Sequence, residues 1–145
     1  MGVINDETGK TPVCRVVQAG ESFVGKQGLV YAVGISAQTV GARGIHMQIL
    51  NIPPGGRGKA HKHADHETAL YALCGESCMW YGERLEQHSV LKPGEFLYIP
   101  ANVPHLPYNP SETEPCVAVI ARTDPNEQES EVLLPDIEGA MAVSG

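Results

Sequence analysis

The sequence predicts an all-β fold, and three observations predict it. Sixteen glycines and eleven prolines are spread along 145 residues. The segments between them are short and rich in Val, Ile, Leu, Tyr and Thr, and none carries an apolar helical stripe of useful length. Turn-forming stretches such as "NIPPGGRG", "CGES", "YGERLE", "LKPGE" and "PANVPHLPYNPSETEP" recur at near-regular spacing, which predicts a sandwich or a small barrel.

In chain order the expected strands are "CRVVQ" from Cys14, "GLVYAVGI" from Gly28, "GIHMQILNI" from Gly44, "KAHKH" from Lys59, "TALYALCG" from Thr68, "SCMWYG" from Ser77, "QHSVL" from Gln87, "EFLYIP" from Glu95 and "CVAVIART" from Cys116. The length suits one domain with a real core. Residues 1–11 are polar and expected to be loose, 12–122 form the barrel, and 123–145 form an acidic tail. In that tail "VLLPDI" is an edge-strand candidate, on this chain or a neighbouring subunit, and "GAMAVSG" is expected to fray.

The formal net charge is −7, so the protein's field repels phosphate backbones and anionic lipid heads, and nucleic acid and membrane surfaces are excluded as expected partners. No apolar run approaches the roughly 20 residues of a membrane helix. The N-terminus has neither the apolar core of a secretory signal nor the Arg-rich pattern of a transit peptide, so a cytoplasmic location is expected. The four cysteines (Cys14, Cys74, Cys78, Cys116) do not pair in zinc-ribbon spacing and are expected to be free and mostly buried.

The stretch "HKHADHE" over residues 61–67 holds three of the six histidines. On a strand, His61 and His63 project to one face with Lys62 pointing away, and imidazole is the commonest ligand for transition metals. A fourth histidine, His105, lies in the Pro-rich "PANVPHLPYN", held between Pro104 and Pro107 as in a stiff turn. His-x-His alone would be no more than two surface side chains, but the two pieces in this order are specific.

Together they resemble the two sequence motifs of the cupins, small single-domain β-barrels that hold one metal ion inside. The first motif has the form G-x5-H-x-H-x3,4-E-x6-G, and here Gly55, His61, His63 and Gly75 match it. The second has the form G-x5-P-x-G-x2-H-x3-N, matched by Gly94, Pro100, His105 and Asn109, with Asn102 in place of the middle glycine. That departure is mild, because Asn tolerates the left-handed conformation best after Gly. The resemblance covers roughly residues 45–121 and implies a cupin-type jelly-roll barrel, or double-stranded β-helix, with His61, His63 and His105 as metal ligands.

The fourth ligand is open. Counted forward from His63, the motif carboxylate is Glu67; counted back from Gly75, the position holds Thr68. A two-residue turn at Ala64-Asp65 would set His63 opposite His66 and His61 opposite Thr68, all facing inward. A three-residue turn would bring in Glu67 at the cost of a bulge before Gly75. The register of "TALYALCG" favours His66, with Glu67 as the alternative. His46 and Gln48 share a face and could line the pocket, as could Thr68 and Trp80; Glu67 and Tyr98 are candidates for moving a proton. His88 is expected at the surface. Arg57, Lys59 and Lys62 read as a solvated basic loop.

The resemblance implies a divalent transition metal (Fe, Mn, Ni, Zn or Cu) and a small-molecule substrate, with dioxygenase-type oxidation as the first expectation. Redox-neutral isomerase, epimerase or lyase chemistry, with the metal as Lewis acid, is the alternative. A third is ligand binding or sensing without turnover. The strand-like tail and open barrel edges make a homodimer the expected assembly.

Overall fold

The computed structural model describes residues 11–144. The expectation of a loose N-terminus falls, Thr11 apart, outside the described residues. The strands are β1 (Phe23–Val24), β2 (Val30–Ile35), β3 (His46–Ile52), β4 (His61–His63), β5 (Thr68–Cys74), β6 (Ser77–Tyr81), β7 (Gln87–Leu91), β8 (Phe96–Ile99), β9 (His105–Tyr108), β10 (Cys116–Arg122) and β11 (Glu131–Leu133). Two helices accompany them, α1 (Ala37–Val40) and α2 (Pro135–Ser144). The strands form two antiparallel sheets, ordered β1-β2-β3-β10-β5-β8 and β11-β4-β9-β6-β7.

Alternation along each strand fills the space between the sheets. On β3 His46, Gln48, Leu50 and Ile52 are buried while Met47 is exposed. The interior grades from apolar to polar along the strands. Ile52 stands opposite Cys116 and Leu50 opposite Ala118, whereas at the other end His46 and Thr68 flank Arg122. The apolar end is a closed core of Leu29, Tyr31, Leu50, Ile52, Leu70, Met79, Leu91 and Ile99 among others, each large side chain contributing about 1.5–3 kcal/mol by leaving water. Polar side chains gathered at the far end cost stability unless they are satisfied, which marks that end as the place to look for function.

Several sequence expectations are corrected here. "CRVVQ" forms no strand: Val13, Val16 and Cys14 are exposed, because the segment finds no sheet edge to pair with. Cys74 is exposed too, so two of the four free thiols are buried, Cys78 and Cys116. His105 lies on a strand rather than in a plain turn. Pro107 is tolerated in that strand because the outer edge there is taken up by a loop, with Gly58 donating to the Pro107 carbonyl at 2.8 Å.

The tail does more than pair at an edge. β11 pairs with β4 of the same chain, Glu131 opposite His63 and Leu133 opposite His61. The next residues form α2 where fraying was expected. Pro135 fits a first helical position, and Asp136 and Glu138 suit the N-terminal dipole. Leu134, Ile137 and Met141 pack on an outer cluster of Ala60, Leu85 and Leu106. That three-residue stripe is too short to register as a helical period.

Candidate metal centre

β4 presents His61 and His63 on the inner face, and β9 presents His105 beside them through the His61–His105 pairing. All three are buried. Their ring centroids lie 4.2 Å (His61–His105), 4.6 Å (His63–His105) and 5.2 Å (His61–His63) apart, and one nitrogen of each ring falls within 4.8 Å of the others. The outer nitrogens are spoken for. His61 Nδ1 lies 2.7 Å from the Lys59 carbonyl, His105 Nδ1 2.9 Å from the Val103 carbonyl and His63 Nδ1 2.8 Å from the Thr68 hydroxyl. The carbonyl contacts require Nδ1–H on His61 and His105 and leave their Nε2 lone pairs free, while the Thr68 hydroxyl orients the His63 ring, as outer-shell partners of metal-bound histidines do.

Burial keeps the rings uncharged. It lowers the pKa of His61 to about 4 and that of His105 to about 3, and lowers that of His63 further with help from the neighbouring rings. Three neutral, oriented, convergent imidazoles are the donor set a divalent transition ion takes. The residues fit a metal.

Among the described residues one carboxylate reaches this group, and it is Glu129. Its Oε2 stands 2.7 Å from His66 Nε2 and 3.6 Å from His63 Nε2, while Arg122 Nη1 donates to Oε1 at 3.2 Å. The loop that carries it is well anchored. Asp124 accepts from the Asn126 and Ser130 amides at 3.1 and 2.9 Å, Glu127 Oε2 accepts from Ser36 Oγ at 2.9 Å, and the Ala37 amide donates to the Pro125 carbonyl at 2.8 Å.

His66 belongs with Glu129 rather than with the three converging rings. It stacks on His63 at 5.1 Å and makes a second set with His63 and Glu129. Its Nδ1 faces the Ala64 carbonyl at 3.2 Å, so both ring nitrogens meet acceptors. Burial opposes its charge, but the Glu129 hydrogen bond and charge outweigh that and raise its pKa.

The Ala64-Asp65 turn exists, with Asp65 at φ 63, but it does not close a hairpin. β4 and β5 lie in different sheets, and the turn is the corner between them. A bulge also forms before Gly75, where Leu73 is left out of the β10 register. Gly75 itself takes φ 70, and a Cβ there would collide with the Pro115 carbonyl. Asn102 takes the left-handed conformation expected of it, φ 65. Its amide donates to the His63 carbonyl at 2.9 Å, and its side chain meets Asp65 at 3.2 and 3.3 Å. The two histidine-bearing turns are thereby clasped together.

Other candidates fall elsewhere. Glu67 is exposed and accepts the Tyr98 hydroxyl on the outside of the barrel, and Tyr98 is 59 % exposed. Strand alternation explains this: with Thr68 inward, Glu67 must face out, and so must Tyr98 between the inward Leu97 and Ile99. Trp80 is likewise outward, packed on the Ala60–Leu85–Leu106 cluster and against His88, which is exposed as expected. Thr68 and Gln48 face the interior. So does His46, buried to 1 % exposure, and its ring nitrogens have no hydrogen-bond partner among the described residues. Arg57 and Lys59 are exposed on the outer side. Arg122 and Glu129 carried no motif; the available signal was that inward alternation along β10 buries Arg122, which demands an acidic partner.

The model of the cupin domain family, Cupin_2, matches residues 48–121. This chain belongs to the cupin family. Solved structures similar to it share the double-stranded β-helix. A variant of Bacillus subtilis oxalate decarboxylase OxdC is 17 % identical at a TM-score of 0.63, over 79 % of this chain and 30 % of that one. An uncharacterized conserved protein with a double-stranded β-helix domain from Klebsiella pneumoniae is 16 % identical at 0.60, over 72 % and 78 %. A protein provisionally described as a sugar phosphate isomerase from Acidithiobacillus ferrooxidans is 25 % identical at 0.53, over 65 % and 59 %. The cupin thus spans about a third of the decarboxylase, and the likeness is one of fold. No curated protein sequence matches it.

Proposed function

We propose that this cupin is a metal-dependent enzyme acting on a small organic molecule, with oxidation by O₂ the first reaction to test. The observation that carries the reading is the convergence of three neutral, buried imidazoles whose outer nitrogens are already held. His61, His63 and His105 would hold the ion. A divalent metal bound there supplies Lewis acidity, and iron, copper, manganese or nickel also supplies a redox couple. Three protein ligands leave positions free for substrate, which distinguishes a catalytic site from a closed structural one.

The residues around the histidines contribute their own chemistry. Thr68 orients His63, Arg122 holds Glu129 in place, and the Glu129–His66 pair can store and return a proton at Glu129 Oε2 or His66 Nε2. That pair favours a second reading, redox-neutral isomerisation or elimination with the metal as Lewis acid. An oxalate decarboxylase and a provisionally described sugar phosphate isomerase among the similar structures are compatible with either.

Metal analysis of untagged protein followed by turnover screens with and without O₂ separates the two. Oxygen uptake supports the first, and turnover preserved under anaerobic conditions supports the second. Full metal content in His61→Ala would overturn both.

The same reading takes a second copy of the chain as partner. The outward residues of β3, β10, β5 and β8 carry no charge, and Met47, Leu73, Phe96 and Tyr98 are exposed among them, an apolar face of the kind that marks an interface. Phe96→Glu should shift the protein to monomer in sedimentation, whereas truncation after Arg122 should not. The reading also places the protein in the cytoplasm, supported by four free thiols. Among the described residues no helix is long and apolar enough to cross a membrane.

A further inference from the structure

Next to the histidine chamber lies a second, more open pocket of about 210 Å³. Gln27, Tyr31 and Glu129 line both spaces, so they form the wall between them. The chamber on the histidine side measures only about 30 Å³, little more than one water. An organic molecule approaching the histidines therefore has room only in the outer pocket.

Two independent features of that pocket point to a ligand. The first is Gln48, which is 6 % exposed and lines the pocket, yet its side-chain amide meets no hydrogen-bond partner among the described residues. The amide opens on the pocket, and a ligand offering both a donor and an acceptor would pair with it there. The second is charge. Glu127, Glu129 and Glu131 line the pocket against Lys26 and Arg122. The Arg122 guanidinium is already committed to Glu129 and to the carbonyls of Asp124 and Asn126. Three carboxylates against two cations leave the walls with one formal negative charge in a partly dehydrated space, where it acts strongly; burial, helped by the Glu129 charge, raises the Glu131 pKa to about 7, and a bound cation would favour its ionised form.

We infer that this pocket binds a small organic cation, its ammonium or guanidinium group held by the carboxylates of Glu129 and Glu131 and a hydroxyl or carbonyl held by the Gln48 amide. Gln27 and Tyr31 support that arrangement. In the amide orientation that satisfies both groups, Gln27 donates to Glu131 at 3.0 and 3.1 Å and accepts from the Tyr31 hydroxyl, which fixes the carboxylate without neutralising it. The volume keeps the ligand small, below the roughly 300 Å³ at which drug-sized sites begin. Small dianions are disfavoured by the excess of carboxylates over cations in the walls. As the substrate class of the proposed enzyme this rests on the metal reading; as a binding site it does not.

The test is an NMR titration of the full-length, chelator-treated protein, following the Gln48 side-chain NH₂ resonances, with ethanolamine and agmatine as cations and with glycerol and oxalate as neutral and anionic controls. Saturable shifts with a cation, absent or at least tenfold weaker with both controls, are expected. Glu131→Gln should weaken cation binding about tenfold, or about 1.4 kcal/mol. The inference is overturned if no cation gives a saturable shift, if oxalate or glycerol binds as tightly, or if a natively folded Glu131→Gln protein binds cations unchanged. The wild-type titration decides even where the variant does not fold. A parallel titration of His61→Ala keeps the two readings apart: cation binding should survive there although metal binding is lost.

Discussion

His66 Nε2 and Glu129 Oε2 stand 2.7 Å apart across 63 positions of sequence, and this contact holds a carboxylate near the three converging histidines. Glu129→Gln should therefore lower the His66 pKa in the metal-free protein, whereas Glu67→Gln should leave it unmoved, as read from imidazole NMR titrations. The stability linkage has a definite sign. Because the folded His66 pKa lies above 6.5, its contribution is fully present below pH 6.5 and is lost as pH rises through the folded value. An unchanged His66 titration in Glu129→Gln would show that the pair does not form in solution.

The Thr68 hydroxyl sits where the motif spacing counted back from Gly75 puts a carboxylate, and it bonds His63 Nδ1 at 2.8 Å. Thr68→Val keeps the shape and removes that bond. A drop of about 10–100-fold in affinity for Zn(II) or Mn(II) is expected, the usual effect of losing such a partner. Isothermal titration at constant pH measures it, and wild-type affinity would remove Thr68 from the site.

His46 predicts acid sensitivity of the opposite sign to His66. Burial first, and the Arg122 charge second, lower its pKa from 6.5 to about 4. The unfolded chain therefore binds more protons between those values, and stability contributed by the neutral folded ring is lost as pH falls from 6.5 toward 4. His46→Phe replaces a ring with two unsatisfied nitrogens by an apolar one. Urea unfolding of the metal-free protein should show no loss of stability at pH 7 and a shallower decline on acidification. A steeper decline would mean that His46 is charged and paired.

Asn102 tests the clasp between the two histidine turns. Asn102→Gly restores the usual motif residue and keeps φ 65 accessible at the expense of the Asp65 contacts. Asn102→Ala has neither advantage, and a left-handed alanine costs about 1–2 kcal/mol. Thermal melts should rank wild type and Gly above Ala by several degrees. Equal melting of Ala and wild type would mean that the turn has another conformation.

Much of this was legible in the sequence, and the reasons differ by residue. His61 and His63 were readable because a period of two leaves no choice of face, and Asn102 because few residues tolerate its backbone. β9 was hidden by its proline, which removes a ladder donor and so argues against a strand. Hairpin register cannot decide between His66 and Glu67, because β4 and β5 never pair, and spacing along one chain cannot reveal a corner between sheets. Glu129 was hidden for a related reason. Six acidic residues follow Arg122, and only the anchoring of that loop by Ser36, Ala37 and Gln38 selects which one turns inward.

The return of β11 onto β4 also sets an order of assembly. Every histidine of the converging group is laid down before residue 106, but the carboxylate arrives with the last fifth of the chain. A chain still emerging from the ribosome, or one clipped between Thr123 and Ser130, would bring the three imidazoles together without Glu129 pinned beside them. The state of this one peptide segment therefore decides whether the histidine cluster has a carboxylate beside it.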